Sequence, residues 1–293
     1  MGRTSAVGEY LRARRALLSP EEVGFVADRS RKVEGLRREE VAVLAGISPE
    51  YYLRLEQGRD HQPSDQVLGA LARALRLGPH GEAYLRRLAR PAPVPTAHRD
   101  RRVDDEQFGL LLAQWRDVPA FIADANLDVV ASNAVVRQLG HRVFSTGANR
   151  LVAMFTDEDA RTRVPEWELR ARELVGAFRM SGDPRDARYQ QIVGELSVAS
   201  PDFRRIWQRQ DVHVFVEGDA DITVPPFGAV GFGWRNFAVE GLPGHALTTF
   251  FARPGSPAVA VLAYLSACAA VPGTRDAVEP VVSPAPSGAV PAR

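Results

Sequence analysis

The stretch Arg38–Gln57 constrains this chain more than any other, because it calls for two short helices meeting at a single glycine. Val41, Leu44 and Ala45 recur at i, i+3, i+4, which predicts a helix over 38–45 with these three side chains facing a core. Gly46 follows the last apolar residue, where a helix ends most easily in the left-handed conformation that glycine adopts without steric cost. Ile47 then serves as an apolar plug and Ser48 as a cap, and Pro49 takes the first helical position, where its missing N–H loses nothing. The second helix continues through Tyr52 and Leu55, which leaves Glu50, Tyr51 and Arg54 outward near its N-terminal end.

An ordinary helical hairpin would also satisfy this pattern. The flanking residues favour a helix-turn-helix instead. Small Ala42 lies four before Gly46, where two helices must approach closely, and Gly58 closes the second helix. Gln57-Gly58-Arg59 supplies an amide, a flexible backbone and a guanidinium, all suited to phosphate contacts that fix register without reading sequence. Pro63-Ser64-Asp65 caps a further helix with Val67, Leu68, Leu71 and Leu75, and Pro79 opens another with Tyr84, Leu85 and Leu88. The expectation is a mainly α unit of five short helices over residues 1–90. In a helix-turn-helix, the outward N-terminal positions of the second helix enter the major groove of duplex DNA.

Charge divides in the same place. Residues 1–102 hold 19 basic and 13 acidic side chains, and the remainder 18 and 23, so a net of +6 faces a net of −5. A basic first unit suits a polyanion, and an acidic remainder does not.

The segment GLRREEVAVLAGISPEYYLRLEQGRDHQPSDQVLGALARAL, within residues 8–90, resembles the lambda-repressor-like (XRE-type) helix-turn-helix domain. It is particularly similar to the MmyB-like subfamily, whose members carry a GLRREEVAxLAGVSxxYYxRLEQGR core. YLRARRALL at 10–18 resembles that family's first helix, and Pro20–Gly35 its basic insert. The resemblance implies base reading at Ser48, Glu50, Tyr51 and Arg54, with backbone or phosphate contacts from Arg37, Arg38, Tyr52 and Arg59. For Glu50 two roles stay open, accepting from a cytosine amine or only capping its helix.

At 293 residues and 45% hydrophobic content the chain can bury a second core. Pro91–Asp105, with its prolines and charges, is expected to be a linker, residues 106–270 a second domain, and 271–293, rich in Pro, Ala, Gly and Ser, a disordered tail. No run approaches the roughly 18 apolar residues of a membrane span, and the N-terminus lacks a signal-peptide core, so a cytoplasmic protein is expected. The single Cys268 excludes an internal disulfide and a cysteine-cluster metal site, and its apolar surroundings read as packing rather than redox sensing. The six histidines show no metal-ligand spacing, and there is no phosphate-cradling glycine loop or nucleophile elbow. Gly228–Trp234 resembles a dinucleotide loop but has no helix after it. Neither an enzyme nor a bound cofactor or metal is expected.

In the second domain, helical signals over Gln107–Trp115 precede strands at 120–122 and 128–131, and Asn133 caps the helix after them. Helices are expected over 149–155, 167–180, 186–198 and 203–209. Strands come next at 212–216, 222–224, 230–237 and 247–251, and a helix at 257–269 closes the domain. Strands at both ends with helices between predict an α+β domain, one antiparallel sheet covered on one face. GELSVASPDFRRIWQRQDV, PAFIADANLDVVASNAVVRQLG and RPGSPAVAVLAYL resemble the MmyB-like, PAS-like ligand-binding domain. The chain departs from that family's pattern at Ser132 and Gln210, where members carry tryptophan and histidine. The resemblance implies a pocket between sheet and helices and a fatty-acid-like effector. Phe121, Phe155, Phe178, Trp207, Phe215, Trp234 and Phe250 are the aromatic candidates for its wall, each alternatively plain core. His213 or Arg235 is the candidate carboxylate anchor. Taken together, the reading is a homodimeric, DNA-binding transcription regulator, a repressor, answering a small apolar ligand. The alternative is a C-terminal domain that serves only dimerisation or protein contacts.

Overall fold

The computed structural model describes residues 5–26, 31, 33–59, 62–90, 105–158 and 160–270. The expected linker falls outside these but for Asp105, and the expected tail falls outside them entirely.

The first unit contains helices α1 (Ala6–Leu17), α2 (Arg38–Ala45), α3 (Pro49–Glu56), α4 (Asp65–Ala74) and α5 (Gly78–Ala89). Serine caps start three of them. The hydroxyls of Ser5, Ser48 and Ser64 accept from the amides of Gly8, Tyr51 and Val67 at 3.1, 3.1 and 3.3 Å. Helix α2 has no such hydroxyl. Its first turn is held by the Glu40 carboxylate, which accepts from the Arg37 amide at 2.6 Å and from Arg31 at 2.6 and 2.9 Å. Gly46 ends α2 at φ +65°, with its amide and that of Ile47 returned to the last turn. The core draws Tyr10 and Leu11 from α1, Val41 from α2, Tyr52 and Leu55 from α3, and Leu68 from α4. One expectation is corrected here. Leu44 lies on the rim, 37% exposed, because the buried face of α2 is centred on Val41, Ala42 and Ala45.

The second unit starts with α6 (Asp105–Leu112), β1 (Ala120–Ala123), β2 (Val129–Ser132) and α7 (Ala134–Arg137). A helical insert comes next: α8 (Arg150–Thr156), α9 (Ala160–Arg163), α10 (Trp167–Ser181), α11 (Ala187–Ala199) and α12 (Pro201–Gln208). Then come β3 (Glu217–Val224), β4 (Gly228–Ala238), β5 (Ala246–Phe251) and α13 (Ala258–Ala269). The sheet is antiparallel throughout, in the order β2-β1-β5-β4-β3, so the last strand of the chain inserts beside the first. One face packs against α7 and α13 through Val135, Val136, Phe232 and Leu265. The opposite face is not bare. Phe108 and Leu112 of α6 cover Ala120, Ile122 and Leu247, a second layer that the one-sided reading missed. The helical insert has its own core around Trp167, Phe178, Tyr189 and Phe203.

Two local expectations also change. Residues 212–216 form no strand; the backbone there lies flat on α10, where a β-carbon at Gly176 would approach the His213 nitrogen to 2.9 Å. Cys268 is half-buried rather than buried. Among the described residues no helix is long and apolar enough to cross a membrane.

Candidate functional site

The candidate DNA-facing surface is the outward side of α3. Ser48, Glu50 and Arg54 are exposed on the side away from the core, and Tyr51 is half-buried, with part of its side chain packed against that core. The Arg54 guanidinium lies 5.3 Å from the centroid of the Tyr51 ring, a cation–π contact that orients both side chains on that surface. Ser48 already spends its oxygen as acceptor on the Tyr51 amide, so it can offer DNA only its hydroxyl proton or second lone pair. Arg37, Arg38 and Arg59 flank the helix with exposed side chains. Tyr52 does not belong to this surface. It is fully buried in the core, where its spacing with Leu55 puts it, and cannot reach a phosphate.

The residue that fixes the pitch of α3 is Glu56, which sequence reasoning did not single out. Its carboxylate is fully buried and accepts from Arg15 of α1 and Arg38 of α2, each at 2.7 Å. Burial by itself would raise its pKa, but hydrogen bonds and charge from the two arginines hold it below the usual carboxylate range. One carboxylate thus ties the end of α3 to both neighbours. Arg38 is half-exposed, so it serves this pair and still reaches the surface.

In the second domain a partly enclosed cavity of about 550 Å³ lies between the sheet and the helical insert. That volume is ordinary for a small-molecule site, about 300–1,000 Å³. Three of the nine expected ligand residues line it: Phe215, Trp234 and Phe250. Trp234 and Asn236 alternate inward along β4, opposite Phe250 and Thr248 on β5. Phe121 stands behind the wall, fully buried. Phe155, Phe178 and Trp207 belong to the core of the insert, with Phe155 edge-on to Trp167 and Phe203, and Phe178 stacked on Tyr189 at 4.3 Å. His213 sits against Phe215 with ring centroids 4.9 Å apart, outside the cavity lining. Arg235 alternates to the other face of the sheet, exposed and paired with Glu217, and is no anchor.

Two arginines line the cavity: Arg170, paired with Glu173 at 2.9 Å, and Arg150, at the first position of α8. The Arg150 guanidinium lies 5.1 Å from the Phe121 ring centroid and has no ion pair or hydrogen bond among the described residues. It is deep in the molecule but open to the cavity, and burial pushes its pKa down to about 10, leaving it charged at neutral pH. A second depression, about 760 Å³, lies by α6, β2 and the end of α13. It is a more open groove, and its two arginines, Arg116 and Arg137, donate to the carbonyls of Ala113 and Ser132. Among the described residues no cluster suited to a metal ion is present.

Comparison with known families agrees with the two-domain geometry. Residues 6–85 match a helix-turn-helix domain, and residues 105–265 match the MmyB-like transcription regulator ligand binding domain. No curated protein matches the chain. These are regulatory rather than enzymatic domains, and they imply DNA and a small molecule as partners. The second match spans more than half of the sequence, and the chain belongs to the family of MmyB-like transcription regulators, with a helix-turn-helix domain ahead of the ligand-binding one.

Proposed function

We propose that this DNA-binding regulator is a homodimeric repressor whose effector is a fatty-acid-like monoanion held in the 550 Å³ cavity. The observation that carries the ligand class is Arg150. The lining also carries the carboxylates of Glu166, Glu173, Asp219 and Asp221, of which Glu173 is paired with Arg170 and Asp219 with Arg253. Arg150, by contrast, has no carboxylate partner among the described residues. A ligand carboxylate bound there would pair it while an acyl chain covers Ile222, Leu174, Met154 and Phe250. Polar groups near the tail are already satisfied: Thr248 donates to Asn236 at 2.6 Å, and Asn236 to the Phe215 carbonyl at 3.2 Å.

Repression is the proposed sign because the outward face of α3 is uncovered while the two domains are in contact, so operator occupancy needs no prior rearrangement. Dimerisation is proposed because two heads on a palindrome read twice the sequence of one. Native mass spectrometry with dodecanoate and dodecanol tests the ligand class. Dodecanoate should bind and dodecanol should not compete with it. Equal binding of the two would remove the headgroup from the account, and binding of neither would favour a domain that only makes protein contacts.

A further inference from the structure

Between α12 and β3 the chain crosses as an irregular strap, turned at Gln210, whose φ is +55°. One end of the strap grips the DNA-binding unit. Asp211 accepts from Arg14 of α1, from Arg209 at 2.9 Å and from Arg172 at 3.4 Å. Val212, with Met180 of α10, packs against the core of the DNA-binding unit. Arg87 of α5 donates to the carbonyls of Met180 and, at 2.9 Å, Arg179. Arg179, 2% exposed, fastens the strap from beneath by donating to the carbonyls of Trp207 at 2.7 Å and Asp211 at 2.8 Å.

The other end of the strap is cavity wall. Phe215 lines the cavity edge-on to Trp234, with centroids 5.5 Å apart, and His213 rests on it. Between these ends the strap backbone packs closely on α10 at Gly176, where an added β-carbon would lie 2.9 Å from the His213 nitrogen. Helix α10 spans the same two places. Arg170, Glu173 and Leu174 line the cavity, and Arg179 and Met180 meet the DNA-binding unit. Close-packed groups transmit a displacement rather than absorb it.

We propose that the strap 210–215, with the C-terminal half of α10, couples the cavity to the DNA-binding unit, so that a ligand displacing Phe215 loosens the Asp211–Arg14 grip on α1. The inference rests on reading the cavity as the effector site. A ligand shifts such a contact only by its different affinity for the gripped and released arrangements, and the coupling is reciprocal.

Hydrogen exchange of the full chain tests this, read at the amides of α1 and α5, with and without saturating dodecanoate and in Phe215→Leu and Phe227→Leu variants. Dodecanoate and Phe215→Leu should each speed exchange in both helices by about fivefold or more, while Phe227→Leu, the same change at an exposed aromatic outside the cavity, leaves them unchanged. Dodecanoate that protects α10 and β4 but leaves α1 and α5 unchanged overturns the coupling. If dodecanoate protects no cavity wall, the ligand reading fails instead. Phe215→Leu then decides for the strap, and unchanged exchange in α1 and α5 overturns it.

Discussion

Glu56, fully buried between two arginines, and Arg150, half-buried and open to the cavity, show how differently two charges can be housed. Glu56 has two arginines, and Glu56→Ala leaves the buried side of Arg15 unpaired, a loss of about 3 kcal/mol, given that breaking a buried pair costs about 3–5 and Arg38 is half-exposed. Urea unfolding of the helix-turn-helix unit within the full chain would register it, and a loss below about 1 kcal/mol would mean that the pair is not holding α3. The pH dependence comes from the depressed pKa. Glu56 contributes its stability above the unfolded carboxylate pKa, about 4.3, and loses it as pH falls through the lower folded value. Acid titration of wild type should therefore show a loss of stability that Glu56→Gln lacks. Arg150 has no ion pair or hydrogen bond among the described residues, so Arg150→Met should leave the melting temperature without ligand unchanged or higher, and remove the shift given by dodecanoate. A marked fall without ligand would show that Arg150 holds the fold. Neither residue was legible as special in sequence. Each is one charge among many arginines and glutamates, and only the packing of other segments buries it.

At the scale of elements, legibility tracked local chemistry. The serine caps, Gly46 and Pro49 are signals within four residues of what they control, and α2 ends at Gly46 and α3 begins at Ser48 and Pro49 where those residues stand. Strand 212–216 failed because its alternation is real but its environment is tertiary: α10 at Gly176 takes the place of a sheet neighbour. Arg235 failed as an anchor for a related reason, since alternation along β4 gives two faces and does not say which one the insert covers. Gly46→Ala tests the turn. At φ +65° a new methyl group meets nothing within 4 Å, so the cost should be conformational only, about 1 kcal/mol by thermal unfolding. A much larger loss would point to packing that the turn does not show. On α3, Arg54→Ala should weaken binding to a specific site by about 1–3 kcal/mol in anisotropy titrations while changing binding to arbitrary duplex less. Equal weakening on both would assign Arg54 to phosphate.

For the whole molecule, the division into two units was legible from the charge asymmetry and from the resemblance of each half. The contact between them was not. Arg14, Arg87, Met180 and Asp211 lie far apart in the chain, and no periodicity or spacing relates them. Nor did sequence separate wall from core among the aromatics, because both uses ask for the same residue types. The dimer belongs to this scale too: sedimentation should give two chains, and a strict monomer both free and on DNA would contradict a paired-head mechanism. If one chain both reads DNA and answers an acyl carboxylate, the two functions meet in operator affinity. An operator selected from random duplexes with the whole chain allows that affinity to be measured with and without saturating dodecanoate. Dodecanoate should weaken operator binding about fivefold or more, and Arg150→Met should abolish the effect. Identical affinity with and without a ligand shown to bind would contradict that link between the two functions.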